Sequence, residues 1–162
     1  MIILPNKYIP EMLSVGSLSP DFNLASSDGN FRGLYYYRGS FVVLYFYPND
    51  NLNRSISEIK LFRDKYKFFR EYNIILFVIS EDMNDIVMKF ALKYAIPFPI
   101  LSDDNREVAS RYKVLNKDNK VIRTTFLVNK DSKILNIWRD KKLKNYYKEI
   151  FTEVEKNTQN LF

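Results

Sequence analysis

Tyr45-Phe46-Tyr47-Pro48-Asn49-Asp50-Asn51-Leu52-Asn53-Arg54-Ser55-Ile56-Ser57-Glu58 joins an apolar strand to an amphipathic helix through a short polar loop. Upstream, the apolar run from Phe41 to Tyr47 is uninterrupted. Its length and its β-branched and aromatic content suit a strand buried on both faces. Pro48 ends it. From Ser55 onward, Ile56, Ile59, Phe62, Tyr66 and Phe69 recur every three or four residues, the spacing of one helix face. Asn73 separates this helix from a second continuous apolar strand, Ile74 to Ser80.

The pattern continues outward in both directions. A helix is expected over Met83 to Tyr94, with Ile86, Phe90 and Tyr94 in step, and Pro97 and Pro99 close it. Ile100-Leu101-Ser102 leads into a short helix over Asn105 to Tyr112. Arg123 to Val128 and Ile134 to Trp138 read as two strands joined by the polar turn Asn129–Lys133, hence a hairpin. Residues 143 to about 157 form the last helix, with Tyr146, Ile150 and Val154 on one face. Before the first long strand, Ser27-Asp28-Gly29-Asn30 is a turn between short strands. Residues 1–13 read as an N-terminal arm punctuated by Pro5 and Pro10, with Ile2, Ile3, Leu4, Tyr8 and Ile9 apolar enough to cover a surface. Residues 14–162 read as one domain. Alternating strands and helices ending in a hairpin and a helix give an α/β sandwich.

Composition removes most catalytic chemistries. The chain contains no Cys and no His. Disulfides, thiolate metal sites and thiol catalysis are therefore absent, as are the commonest general base and metal ligand. No metal and no cofactor is expected. The net charge is +6, but basic and acidic residues are interleaved. The densest basic cluster, Arg139, Lys141, Lys142 and Lys144, is short and reads as a solvated helix start rather than a nucleic-acid footprint. No apolar run approaches the roughly 18 residues of a membrane span. The first residues lack a charged and then a long apolar region, so the expected location is the cytoplasm.

The residues around Ser55 resemble the active-site segment of peroxiredoxins of the AhpC/TSA type, in particular the peroxiredoxin Q (bacterioferritin-comigratory protein) branch. Other pieces fall in the same order. Val15-Gly16 with Ser19-Pro20-Asp21-Phe22-Asn23-Leu24 is similar to the family's opening, and Leu44 to Pro48 to the strand before its active-site loop. Glu58, Phe62, Arg63 and Asp64 are similar to the following helix, and Lys89-Phe90, Lys93-Tyr94, Pro97-Phe98 and Leu101-Ser102-Asp103 to its middle. Arg123-Thr124-Thr125-Phe126-Leu127-Val128 is similar to the strand that carries the active-site arginine. The resemblance implies a thioredoxin-like fold of the peroxiredoxin type, with a central mixed sheet flanked by helices.

It also implies a site. In the family a thiolate attacks one peroxide oxygen and the other leaves as hydroxide or alkoxide. A helix N-terminus and an arginine favour the ionised thiol and the developing charge. Carried onto this chain, Ser55 takes the peroxidatic cysteine position, Leu52 the threonine position, and Pro48 and Arg123 are kept. Lys60 stands where many members of the branch have a resolving cysteine, and Arg54 replaces a small residue. A serine hydroxyl is a far weaker acid than a thiol, and oxygen has no counterpart to the sulfenic acid that sulfur forms.

Three readings follow. In the first, the chain keeps the peroxiredoxin fold without peroxidase activity and serves as a binding or interaction module; Ser55, Arg54, Arg123 and Glu58 then line a site for a small anion or a peroxide. In the second, it is a thiol peroxidase seen as a cysteine-to-serine variant at Ser55, needing an external thiol reductant because Lys60 cannot resolve a sulfenic acid. The departures at Leu52 and Arg54 favour natural loss. In the third, Ser55 is itself a nucleophile with Glu58 or Lys60 as base, against which stands a plain helix-start hydrogen bond or capping box. The expected assembly is a monomer or a homodimer.

Overall fold

The computed structural model describes residues 12–159. The arm expected over residues 1–13 lies outside them except for Met12 and Leu13. Five strands form a mixed sheet. In chain order the elements are β1 (Asn23–Ala25), β2 (Phe31–Gly33), β3 (Phe41–Phe46), α1 (Leu52–Glu71), β4 (Ile74–Ser80), α2 (Asn84–Lys93), β5 (Ile100–Ser102), α3 (Glu107–Arg111), β6 (Thr124–Val128), β7 (Ile134–Arg139) and α4 (Leu143–Gln159). The sheet order is β5-β4-β3-β6-β7, with β3, β4 and β5 parallel and β6 and β7 antiparallel to their neighbours. β1 and β2 form a separate small hairpin.

The unbroken apolar run of β3 has a direct explanation. Successive side chains of a strand point to opposite faces, and both faces are covered. Phe41, Val43, Tyr45 and Tyr47 join one core with Ile59, Phe62 and Phe69 of α1, Val87 of α2 and Tyr146, Ile150 and Val154 of α4. Val42, Leu44 and Phe46 join a second core with Phe22, Leu34, Phe77, Val108, Tyr112 and Phe126. The aromatic richness fills these cores: Phe62 packs edge-on against Tyr45 and Phe69, and Trp138 stacks on Tyr146.

Two helices differ from expectation in detail. α1 begins at Leu52, three residues ahead of Ser55, because the Asn51 side chain accepts the Arg54 N–H (3.2 Å) and caps the first turn. Leu52 and Asn53 face solvent, so that first turn carries no hydrophobic period. The buried stripe of α1 is Ser55, Glu58, Ile59, Phe62 and Phe69, with Ile56 and Tyr66 at its partly buried margins. In α2 the buried residue is Val87, while Ile86 is 48 % exposed. Both lie within one turn of Phe90, and only tertiary packing distinguishes them.

Candidate functional site

Ser55 and Glu58 are polar residues on the buried stripe of a helix, and Tyr45 is a tyrosine in a strand with no exposed face. Each needs a partner inside the protein. They find one another and Arg123. Arg123 sits just before β6 and is 4 % exposed. Its backbone carbonyl accepts the Asp140 N–H (2.8 Å), which ties it to the turn after β7. Arg123 Nη2 donates to Ser55 Oγ (3.1 Å), and Nη1 donates to the Tyr45 hydroxyl (2.6 Å) and lies 3.4 Å from Glu58 Oε2. The Tyr45 hydroxyl donates to the same Glu58 oxygen. Ser55 Oγ in turn donates to the Pro48 carbonyl (3.4 Å), across the loop that ends β3.

The second Glu58 oxygen is also engaged. Oε1 accepts the Leu143 N–H at the start of α4 (3.3 Å) and the Arg54 Nε–H (3.3 Å). Arg54 Nη2 donates to the Lys141 carbonyl (3.1 Å). Glu58 therefore joins α1, β3, β6 and α4 at one point. Burial, together with the Glu58 carboxylate beside it, pushes the Tyr45 hydroxyl well above the usual tyrosine range. It stays a neutral donor to Glu58.

Several expectations change here. Glu58 is neither a capping-box partner nor a base for Ser55. Asn51 supplies the cap, and the Glu58 oxygens serve Tyr45, Arg123, Arg54 and the Leu143 N–H. Ser55 lies inside the helix rather than at its free end, and its N–H donates to the Asn51 carbonyl (3.1 Å). Arg54 is held by Glu58 and Lys141 rather than aimed at Ser55. Leu52 is 52 % exposed and takes no part in the hydrogen-bond network. The Lys60 ammonium lies over the Tyr94 ring, 4.9 Å from its centroid. Pro48, Ser55, Glu58 and Arg123 lie together, linked through the Ser55 hydroxyl and the Arg123 guanidinium.

Tyr45 belongs to the site although it carried no role in the sequence reading. Its signal was a hydroxyl in a doubly buried strand, which must find a partner. The Lys141 carbonyl and the Leu143 N–H carry no sequence signal, being backbone atoms.

Residues 15–137 match the AhpC/TSA family model. The chain belongs to the AhpC/TSA family. It is 30 % identical over 144 residues to peroxiredoxin Bcp of Bacillus subtilis (strain 168), an alignment covering 85 % of this chain and 92 % of that one. It is also 30 % identical over 145 residues to a putative peroxiredoxin bcp of Coxiella burnetii, covering 85 % and 96 %. Among solved structures, peroxidoxin BcpB of Mycobacterium tuberculosis superposes with a TM-score of 0.80 at 28 % identity, over 90 % of this chain and 97 % of that one. A cysteine-to-serine mutant of PrxQ from Xylella fastidiosa superposes with a TM-score of 0.82 at 23 % identity, over 91 % and 99 %. The fold is thus the thioredoxin-like fold of the peroxiredoxins. Within that family, this chain has no cysteine at any position. Among the described residues no helix is long and apolar enough to cross a membrane, and no cluster of acidic side chains is arranged to hold a metal ion.

Proposed function

We propose that this chain is a peroxiredoxin-fold protein that does not reduce peroxides by thiol chemistry. One observation carries the reading: the side-chain atom that Arg123 addresses at 3.1 Å is a serine oxygen. Family chemistry needs a nucleophile that attacks one peroxide oxygen while the O–O bond breaks, keeping the first oxygen as a sulfenic acid. Ser55 is 1 % exposed and has no base; its hydroxyl donates to a backbone carbonyl and accepts from a guanidinium. Ser55 is neither ionised nor poised to become so.

The same geometry speaks for a structural rather than ligand-binding role of Arg123. Its guanidinium is shared among Ser55, Tyr45 and Glu58, with no face turned to solvent. The protein acts through its surface, in the cytoplasm, as a monomer or a homodimer. An assay of peroxide consumption with an external dithiol tests this reading. No loss beyond the buffer rate is expected from the chain, and catalytic turnover would overturn it.

One observation favours a second reading. Arg123 points at residue 55 as it would at an anion, which suits a cysteine at that position in a parent enzyme. That enzyme would work with an external thiol, since Lys60 offers no resolving sulfur. Sequencing codon 55 of the natural gene decides between them: Ser upholds the first, Cys the second.

A further inference from the structure

The basic cluster at the start of α4 lines a groove. Between the exposed side of α1 and the turn before α4 lies a cavity of about 510 Å³, bordered by Arg54, Ser57, Lys60, Asp64, Lys142 and Lys144. Four cations face it. Its carboxylates are already neutralised, Asp64 by Arg63 (3.1 Å) and Glu58, at the floor, by Arg54 and Arg123. Lys142 and Lys144 are exposed and form no ion pair among the described residues. The Lys60 ammonium lies over the Tyr94 ring and forms no ion pair among the described residues. The charge of the three lysines is therefore uncompensated among the described residues.

A helix N-terminus carries partial positive charge and is normally balanced by acidic residues in the first turn. The first turn of α4 has none of its own and carries Lys144, with Lys142 just ahead; the Glu58 carboxylate of α1 reaches that end through the Leu143 N–H (3.3 Å). Arg54 is fixed between Glu58 and the Lys141 carbonyl, so one cation of the groove is already oriented.

We propose that this groove binds a small multivalent oxyanion of the phosphate class, such as a diphosphate group, with Lys142, Lys144, Lys60 and Arg54 as its cationic ligands. The volume lies in the range of small-molecule sites, roughly 300–1,000 Å³. The groove adjoins the Ser55 network through Arg54 and Glu58, but Lys60, Lys142 and Lys144 take no part in that network.

The test is calorimetric titration of the full chain with inorganic pyrophosphate at fixed ionic strength. It is compared with the double variant Lys142→Glu/Lys144→Glu and with Lys117→Glu/Lys133→Glu, an equal change of net charge at exposed positions elsewhere. Saturable binding to the parent, weakened at least about tenfold in the first variant and less than about twofold in the second, is the expected result. A melting curve without ligand checks folding: the first variant should melt no lower than the parent, because both substitutions favour the helix end. No binding to the parent overturns the proposal, as does equal weakening by both variants, which would mean attraction to net charge alone.

Discussion

Arg123 Nη2 meets Ser55 Oγ at 3.1 Å across a separation of 68 residues in the chain. The contact joins the start of β6 to the first turns of α1. Arg123 continues through its other nitrogen to Tyr45 and Glu58, so an arginine, a carboxylate, a phenol and a serine share one buried cluster with each side chain hydrogen-bonded. In a medium of low polarity such a cluster is worth keeping whole, and breaking it at any one member is costly.

Arg123→Met leaves the buried Glu58 carboxylate with Arg54 as its remaining cation, beside the Tyr45 hydroxyl and the Leu143 N–H. Loss of one partner from a buried pair costs about 3–5 kcal/mol. Urea denaturation should show that loss as a lowered midpoint with an unchanged slope. Arg123→Lys should recover only part of it, since an ammonium cannot span Ser55 and Tyr45 in the fork geometry of a guanidinium.

Ser55→Ala removes the hydrogen bond from the Arg123 guanidinium and the longer one to the Pro48 carbonyl, and leaves the rest of the cluster intact. The expected cost is about 1–2 kcal/mol. A double-mutant cycle with Arg123→Met should return a coupling of similar size. Additivity of the two changes would mean that the contact is energetically silent.

Much of this fold is legible in the sequence. The run from Phe41 to Tyr47 suited a doubly covered strand, and Ile59, Phe62 and Phe69 set the buried face of α1. The start of α1 was not legible from periodicity, because residues 52–54 do not reach the core; its signal was the capping side chain of Asn51. Ile86 and Val87 could not be told apart, since both fit a period set by Phe90. For the site, residue types were readable at Pro48, Ser55 and Arg123. The roles of Glu58 and Arg54 were not, because their partners include backbone atoms at Leu143 and Lys141, more than eighty residues away.

Asn51→Ala removes the cap of α1 and should cost about 1 kcal/mol, while Asn51→Asp or Asn51→Ser should cost little. Thermal melts of the three variants check this. The substitution is also expected to loosen Leu52 and Asn53 without disturbing the Ser55–Arg123 contact. Hydrogen exchange confined to the first turn of α1 would show that separation.

The buried tyrosines set an alkaline limit. Burial raises Tyr45, Tyr112 and Tyr146 above the ordinary tyrosine range, and pushes Tyr47 up to about 12. In the unfolded chain these phenols ionise near pH 10. A raised folded-state value means that the native form keeps protons the unfolded form releases. Their contribution is fully present below about pH 10 and is lost as pH rises through the folded-state values. The urea midpoint should thus hold up to about pH 10 and fall as pH rises toward 12. Tyr45→Phe, which lowers stability at neutral pH by removing a hydrogen-bond partner of Glu58 and Arg123, should show a shallower fall.

Peroxide consumption by Ser55→Cys, measured beside the parent chain in a single turnover without added thiol, bears most directly on the claim that the scaffold persists and the redox step is lost at residue 55. The parent should consume none. The variant should consume one equivalent per chain as its thiolate becomes a sulfenic acid, slowly, because Leu52 cannot position the peroxide. Consumption by the parent, or a Ser55→Cys variant that folds and stays as inert as the parent, would contradict the account.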